Sequence, residues 1–313
     1  KAAGLCDSNN LCGALEFSEL LAKSKTQPII GTQINIKYKD NVGKIPLFAK
    51  NLEGYKNLIK LSSKSFLEVK DIEDPHCKIE DLEKNFKGLI LLTGSFDGLI
   101  GKLFFKNLTD EISILLKRLK SFFKDDIYVE IQRHNDEGEK LFEKFLISIS
   151  KNLKLPIIAT QEVYYLDKDM FEAHDAYLCI GEKTYVNVKE RRKYTNQHYL
   201  KSSEEMYELF KDLPDALKNN ENFPFRISYR PKNSLPVLPN IQTSKTDNID
   251  ALLIKESTEG LKEKLREYVV PYHNKEELAK IIKDYNERLN HEIKIISKMK
   301  YSSYFLIVSD YIK

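Results

Sequence analysis

With 313 residues, 42% of them hydrophobic, the chain can bury a sizeable core, enough for one large domain or for one domain and part of a second. Fifty Lys and Arg against 47 Asp and Glu leave a formal charge of +3, too even over this length to mark a dedicated nucleic-acid-binding face. No apolar run reaches the ~18 residues of a membrane span, and the opening KAAGLCDSNN lacks the apolar stretch of a signal peptide, so a cytoplasmic protein without a membrane partner is expected.

The chain opens on Lys1 in what reads as the end of a helix running into a strand, and it closes on YFLIVSDYIK without a terminator, so both ends read as cut. Further along, short β-branched runs alternate with longer amphipathic stretches. Strands are predicted at Pro28 to Ile36, Ile45 to Lys50, Gly88 to Gly94, Ile127 to Arg133 and Pro156 to Tyr165. Helices are predicted between them at Leu15 to Lys23, Tyr55 to Phe66, Leu99 to Phe123 with a break near Asn107, and Gly138 to Lys151. Strand followed by helix, repeated, predicts an α/β parallel sheet or barrel, because parallel neighbours need a long crossover between them. Two more helices follow at Asp169 to Ile180 and Ser203 to Phe210, the second opened by a capping box in which Ser202 and Glu205 satisfy each other's free backbone donors. From Asn219 to Asp250 the composition turns to Asn, Ser and Pro, as in an extended connector. Beyond it, Leu278, Ile282, Tyr285, Leu289, Ile293 and Ile296 recur at helical spacing, and YFLIV at Tyr304 to Val308 reads as a buried strand or helix. The four cysteines, Cys6, Cys12, Cys77 and Cys179, form no CxxC pair and fit reduced thiols.

Chemistry in such barrels collects at the C-terminal strand ends. Here those ends offer Asp7-Ser8, Thr32-Gln33, Thr93-Gly94-Ser95, Arg133-His134 and Gln161-Glu162 with Tyr164. A divalent ion needs several carboxylates or imidazoles to converge, and only Asp7, His134 and Glu162 are of those types. Each has a plainer reading: an Asx turn of Asp7 with Asn9 and Asn10, a hydrogen-bonded loop histidine at His134, and a rim carboxylate at Glu162. His174 falls on a predicted helix and packs as readily as it reacts, and Lys294, Lys298 and Lys300 read as a solvated helix face.

Several stretches carry a resemblance: FAKNLEGYKNLIKLSSKSFLE from Phe48, LPIIATQEVYYLD from Leu155, EAHDAYLCI from Glu172, RRKYTNQHYLKSSEEMYELFKDLPDAL from Arg191 and ERLNHEIKIISKMKYSSYFLIVSDYI from Glu287. In order and over nearly the whole chain they resemble the alpha subunits of bacterial DNA polymerase III. The resemblance implies a distorted seven-stranded (βα) barrel of the polymerase-and-histidinol-phosphatase (PHP) type over residues 1–218, a connector over 219–274 and the first elements of a polymerase palm over 275–313. Metal-binding PHP domains read Thr-Asp-His-Gly-Asn-Leu where this chain has Cys6 to Leu11, so Ser8 replaces a ligand histidine. Gln33 stands for a glutamate, Ser95 for a cysteine, Glu162 for an aspartate and Tyr164 for a histidine, while His134 and Asp7 match the pattern. The metal site is therefore expected to be vestigial at best, on His134, Asp7 and Glu162, with no cofactor in this stretch and Mg2+ only in the palm of the parent. What the resemblance implies is the amino-terminal part of a replicative DNA-directed DNA polymerase, its barrel an inert scaffold that docks the proofreading exonuclease subunit. The implied partners are that subunit, other holoenzyme subunits including the sliding clamp, and primer-template DNA. The alternative is a metal-dependent phosphoesterase or 3′-exonuclease in the barrel, using Zn2+ or Mn2+. Two departures from the family bear on local structure: Pro224 predicts that the segment after Leu217 is not helical, and Lys300 replaces a common glycine.

Overall fold

A computed structural model of the chain describes residues 1–70, 73–234, 236–237, 239 and 248–312. It divides into two compact units, Lys1–Asn233 and Ser234–Lys313. In the first, β1 (Ala2–Ser8) leads to α1 (Ala14–Lys23), β2 (Gln27–Tyr38), β3 (Asn41–Ala49), α2 (Leu52–Leu67), β4 (Cys77–Lys78), α3 (Ile79–Lys84) and β5 (Leu89–Leu92). Then come α4 (Leu99–Phe105), α5 (Thr109–Phe123), β6 (Ile127–Ile131), α6 (Glu139–Leu153), β7 (Ile157–Ala159), α7 (Phe171–Gly181), α8 (Ser203–Phe210) and α9 (Pro214–Asn222).

The seven strands form one curled sheet in the order β1-β2-β3-β5-β6-β7, with β4 paired to β2, a half-barrel of the distorted kind that the resemblance implied. The sheet is not wholly parallel, which corrects the expectation from strand-helix alternation. β3 runs antiparallel to both β2 and β5, because Tyr38 to Asn41 form a tight hairpin in place of a helical crossover. Lys39 turns that hairpin at φ 52°, a left-handed conformation in which glycine or asparagine is commoner. The break foreseen near Asn107 falls between α4 and α5, with Asn107 at φ 57°. The Ser202–Glu205 capping box is present: Ser202 Oγ accepts from the Glu205 amide at 3.2 Å, and Glu205 Oε2 accepts from the Ser202 amide at 2.8 Å.

Strand alternation sorts the sheet into two apolar layers. Ile34, Ile36, Ile45, Leu47, Leu89, Leu91, Ile127 and Val129 pack outward under the helices. The opposite row, Ile29, Ile90, Leu92, Tyr128 and Ile158, faces the barrel interior, where Phe223 closes it off. Phe223 meets Phe48 edge-on at 5.6 Å and Tyr128 at 5.9 Å.

Phe223 lies in a segment expected to be an extended connector, and here the structure differs. α9 continues through Asn219 and Asn220 to Asn222, and a 3-10 turn at Phe223–Arg226 follows. Pro224 is tolerated because it sits in the first turn of that 3-10 helix, where no backbone donor is required of it. Asn220 bonds to both the amide and the carbonyl of Ala159, at 3.1 and 2.7 Å, and Asn219 donates to the Ile157 carbonyl at 2.7 Å. The two asparagines thereby satisfy backbone groups along the edge of β7. Of the remaining connector, residues 235, 238 and 240–247 lie outside the described residues.

The second unit holds α10 (Ile249–Tyr268), α11 (Lys275–Lys298) and α12 (Ser302–Ile312). α10 occupies part of the stretch read as connector, and YFLIV is helical, within α12. Asn274 caps α11 by accepting from the Glu277 amide at 2.9 Å. Ile293 of its apolar stripe is buried, whereas Ile282 and Tyr285 are exposed.

Candidate functional site

Alternation along each strand decides which side chains reach the barrel mouth. On β6 the inward row continues from Tyr128 to Glu130, which is 4% exposed. Thr160, two residues beyond inward-facing Ile158, donates to Glu130 Oε1, and Gln132 Nε2 reaches the same oxygen at 3.1 Å. Glu130 Oε2 has no hydrogen bond of good geometry among the described residues, the Gly94 amide being its nearby backbone donor. Burial raises the Glu130 carboxyl to about 7, against the opposing pull of the Thr160 and Gln132 hydrogen bonds. On β1 it is Cys6 that senses this group: burial first, then the Glu130 charge, pushes its thiol well up.

Asp7 is one residue out of phase with Cys6. Its carboxylate lies toward Gly13 at the start of α1, and Asp7 does not line the mouth cavity. The Asx turn foreseen for it belongs to Asn10, whose Oδ1 accepts from the Cys12 amide at 3.0 Å. Asn9, at φ 55°, instead accepts from the Asn35 amide at 2.9 Å through its side chain.

The structure does bring His134 and Glu162 together. His134 is 3% exposed, and its Nε2 accepts from the Glu162 backbone amide at 3.1 Å, so the lone pair is in use and Nδ1 carries the proton. Glu139 holds the loop from below, accepting from the amides of His134 at 2.6 Å and Asn135 at 2.8 Å. Burial, and then the neighbouring His198, drive the His134 imidazole down to about 3, so it is neutral.

His198 has no counterpart among the residues foreseen. It arrives on the strap after α7, where the Tyr164 amide donates to the His198 carbonyl at 2.9 Å and the Leu200 amide to the Tyr165 carbonyl at 3.0 Å. Its ring stacks on that of His134, centroids 4.1 Å and planes 4° apart. Tyr164 and Tyr194 close round it at 5.4 and 5.0 Å. His174 belongs to the same aromatic cluster, 5.4 Å from Tyr164, and so packs. Arg191 pins the strap to α7 through a two-pronged pair with Asp175, both bonds 2.6 Å.

The resemblance implied a divalent-ion site at this mouth, at best vestigial, so the residues present can be tested against such a group. One donor atom from each of His134, Asp136 and His198 lies within 4.8 Å of the others. The set does not fit an ion. Stacked imidazoles direct their in-plane lone pairs side by side instead of toward one point, and the His134 Nε2 lone pair already receives an amide. Gln33, Ser95 and Tyr164 add no anionic ligand.

The curled sheet of seven strands is consistent with a distorted barrel of the PHP type, and residues 1–134 match the PHP domain. Residues 251–313 match the bacterial DNA polymerase III alpha NTPase domain. The DNA polymerase III subunit alpha of Rickettsia bellii is 38% identical over the whole chain, that of Caulobacter vibrioides 36% and that of Vibrio cholerae 32%, and in each case the match covers 27% of the relative. The chain is thus similar along its whole length to bacterial DNA polymerase III alpha subunits, and it spans about a quarter of the length of these relatives.

Proposed function

We propose that the chain is the amino-terminal part of a replicative DNA-directed DNA polymerase of the bacterial cytoplasm. In this reading the barrel is catalytically inert, serving as scaffold and as docking surface for the proofreading exonuclease subunit, and α11 and α12 open the palm. The observation that carries the reading is end-to-end similarity to DNA polymerase III alpha subunits, through both the barrel and the helical unit. Inertness is supported by the mouth geometry: a neutral His134 already engaged by an amide, its ring stacked on that of His198 so that their lone pairs do not converge, and Asp7 turned aside leave no convergent set of ligands for a cluster of cations. Nucleotide transfer then belongs to palm residues outside this stretch, where magnesium ions and primer-template DNA would be held.

Primer extension and metal content of the full-length protein test the two parts separately. Template-directed extension without stoichiometric zinc or manganese in the barrel is expected, and His134→Ala should leave extension unchanged. Failure to extend a primer refutes the polymerase reading. Phosphoesterase activity that travels with bound metal and disappears in His134→Ala refutes inertness and favours a metal-dependent exonuclease. Co-purification of the exonuclease subunit with the full-length protein, lost when residues 1–233 are replaced by an unrelated barrel, is the expected sign of docking; retention would remove that role.

A further inference from the structure

The barrel mouth encloses a cavity of about 220 Å³ between the ends of β6 and β7 and the strap that carries His198. Two of the lining residues carry a buried acceptor atom that has no hydrogen-bond partner among the described residues, Glu130 Oε2 and His198 Nε2. The residues themselves are 4% and 2% exposed. The tautomer of His198 follows from its other nitrogen. Nδ1 lies 3.2 Å from the Glu162 carbonyl oxygen, which only accepts, so Nδ1 carries the hydrogen and Nε2 presents a lone pair. Nε2 lies 3.7 Å from the Asp136 carboxylate, too far for a hydrogen bond.

Carboxylic groups outnumber basic ones around the cavity. Six lining side chains are carboxylic and two are basic. Two of the six, Asp97 and Glu143, have cations of their own in Lys44 and Arg133. Glu130, Asp136, Glu139 and Glu162 remain against Arg192 and Lys193 at the exposed rim. Arg192 is already engaged, its guanidinium 4.9 Å over the Tyr194 ring and bonded to the Tyr194 hydroxyl. A phosphate or other anion meets repulsion here, and a single divalent ion finds no convergent lone pairs. What the cavity lacks is a positively charged group with several donors pointing in different directions. A guanidinium has five N–H donors in a planar fork and sheds its hydration more easily than an ammonium.

We propose that the mouth cavity is a binding site for a guanidinium ligand, held by Glu130, Asp136 and the lone pair of His198. The proposal goes beyond the polymerase reading and does not depend on it. The guanidinium can be that of a small molecule or of an arginine side chain on a partner protein.

Titration calorimetry of the purified chain at pH 8 tests it, with agmatine as the small-molecule probe and acetyl-Gly-Arg-Gly-amide as the peptide-borne one. Saturable binding of at least one probe is expected, weakened about tenfold by Glu130→Gln and again by Asp136→Asn, each of which removes one charge-assisted contact. Preference for agmatine assigns the site to a free ligand, and preference for the peptide assigns it to a partner's arginine. Asp136→Asn, on a half-buried loop, provides the reading should Glu130→Gln fail to fold. No saturation up to about 10 mM means a cavity filled by water alone and overturns the proposal. Tighter binding of inorganic phosphate or of Zn2+ overturns it too, as does probe binding unchanged in both variants.

Discussion

The two ends of the barrel interior are built from the same strands yet behave as opposites. Toward one end, Ile90, Leu92, Tyr128 and Ile158 point inward and Phe223 seals them. Two residues further along, the same inward rows place Glu130 and Thr160, and the interior becomes a polar cavity holding unpaired acceptors. One end is satisfied and the other is not. The closed end turns burial into stability, whereas the mouth keeps desolvated polar groups that lower stability unless something occupies it. The lesson is that a barrel mouth without a convergent set of metal ligands need not be an ordinary core: its inward positions hold Glu130 and Thr160 where the closed end holds apolar side chains.

The largest effect is expected from breaking the closed end. Phe223→Ala removes a ring from between Phe48 and Tyr128 and opens a void with little freedom to collapse, at a cost of about 3–5 kcal/mol in chemical denaturation of the first unit. A loss below about 1 kcal/mol would mean that Phe223 is a lid resting on the barrel and not part of its core.

Next comes the mouth itself, read through pH. Glu130 has its carboxyl raised from 4.5 to about 7, so its contribution to stability is fully present below pH 4.5 and is lost as pH rises through 7. A shift of that size is worth on the order of 3 kcal/mol. His134, lowered from 6.5 to about 3, acts in the opposite sense: its contribution is present above pH 6.5 and is lost as pH falls toward 3. Between pH 4.5 and 6.5 the two slopes oppose each other. Glu130→Gln removes one of them, so the stability difference should move steadily in the variant's favour from pH 4.5 to 7 and stay constant above that. Denaturant midpoints across this range check the prediction, and a pH-independent difference between the two proteins would mean that Glu130 is not desolvated. Smaller again is Asn220→Ala, which leaves the amide and carbonyl of Ala159 without their side-chain partner and should cost about 2 kcal/mol by the same measurement.

How much of this was legible in the sequence depends on whether a signal was local. The apolar strands and the α4–α5 break could be read because β-branched runs and helical periodicity are properties of neighbours in the chain. The hairpin at Lys39 could not, because its positive φ is taken by a lysine where glycine would have announced the turn. Lysine does this repeatedly, at residues 25, 39, 124, 154, 183 and 300, with Asn9, Asn107 and Asn135 completing the positive-φ non-glycine residues among those described. α9 was missed for a related reason. Asn219 and Asn220 resemble loop composition, yet their amides are committed to the edge of β7. In the site, His134 and Glu162 were identifiable by residue type, and counting alternation along IYVEIQ would have added Glu130. The same count along β1 would have placed Cys6, and not Asp7, inward. His198 had no local signal, since its place depends on the strap docking beside Tyr164 and Tyr165.

The smallest predicted effect belongs to the second unit. α11 ends in a Schellman arrangement: the Tyr301 amide bonds to the Ile296 carbonyl and the Lys300 amide to the Ser297 carbonyl, each at 3.0 Å, with Lys300 at φ 62°. A lysine Cβ in that conformation costs roughly 1 kcal/mol, which glycine avoids, although glycine also gains freedom in the unfolded chain and gives part of the advantage back. Lys300→Gly should therefore stabilise the turn by about 0.5 kcal/mol, slowing amide exchange at Tyr301 roughly twofold while leaving exchange within β5 and β6 unchanged. If exchange slowed equally in the strands, the two units would unfold as one, and the stability differences assigned to the two ends of the barrel would have to be shared with the helical unit.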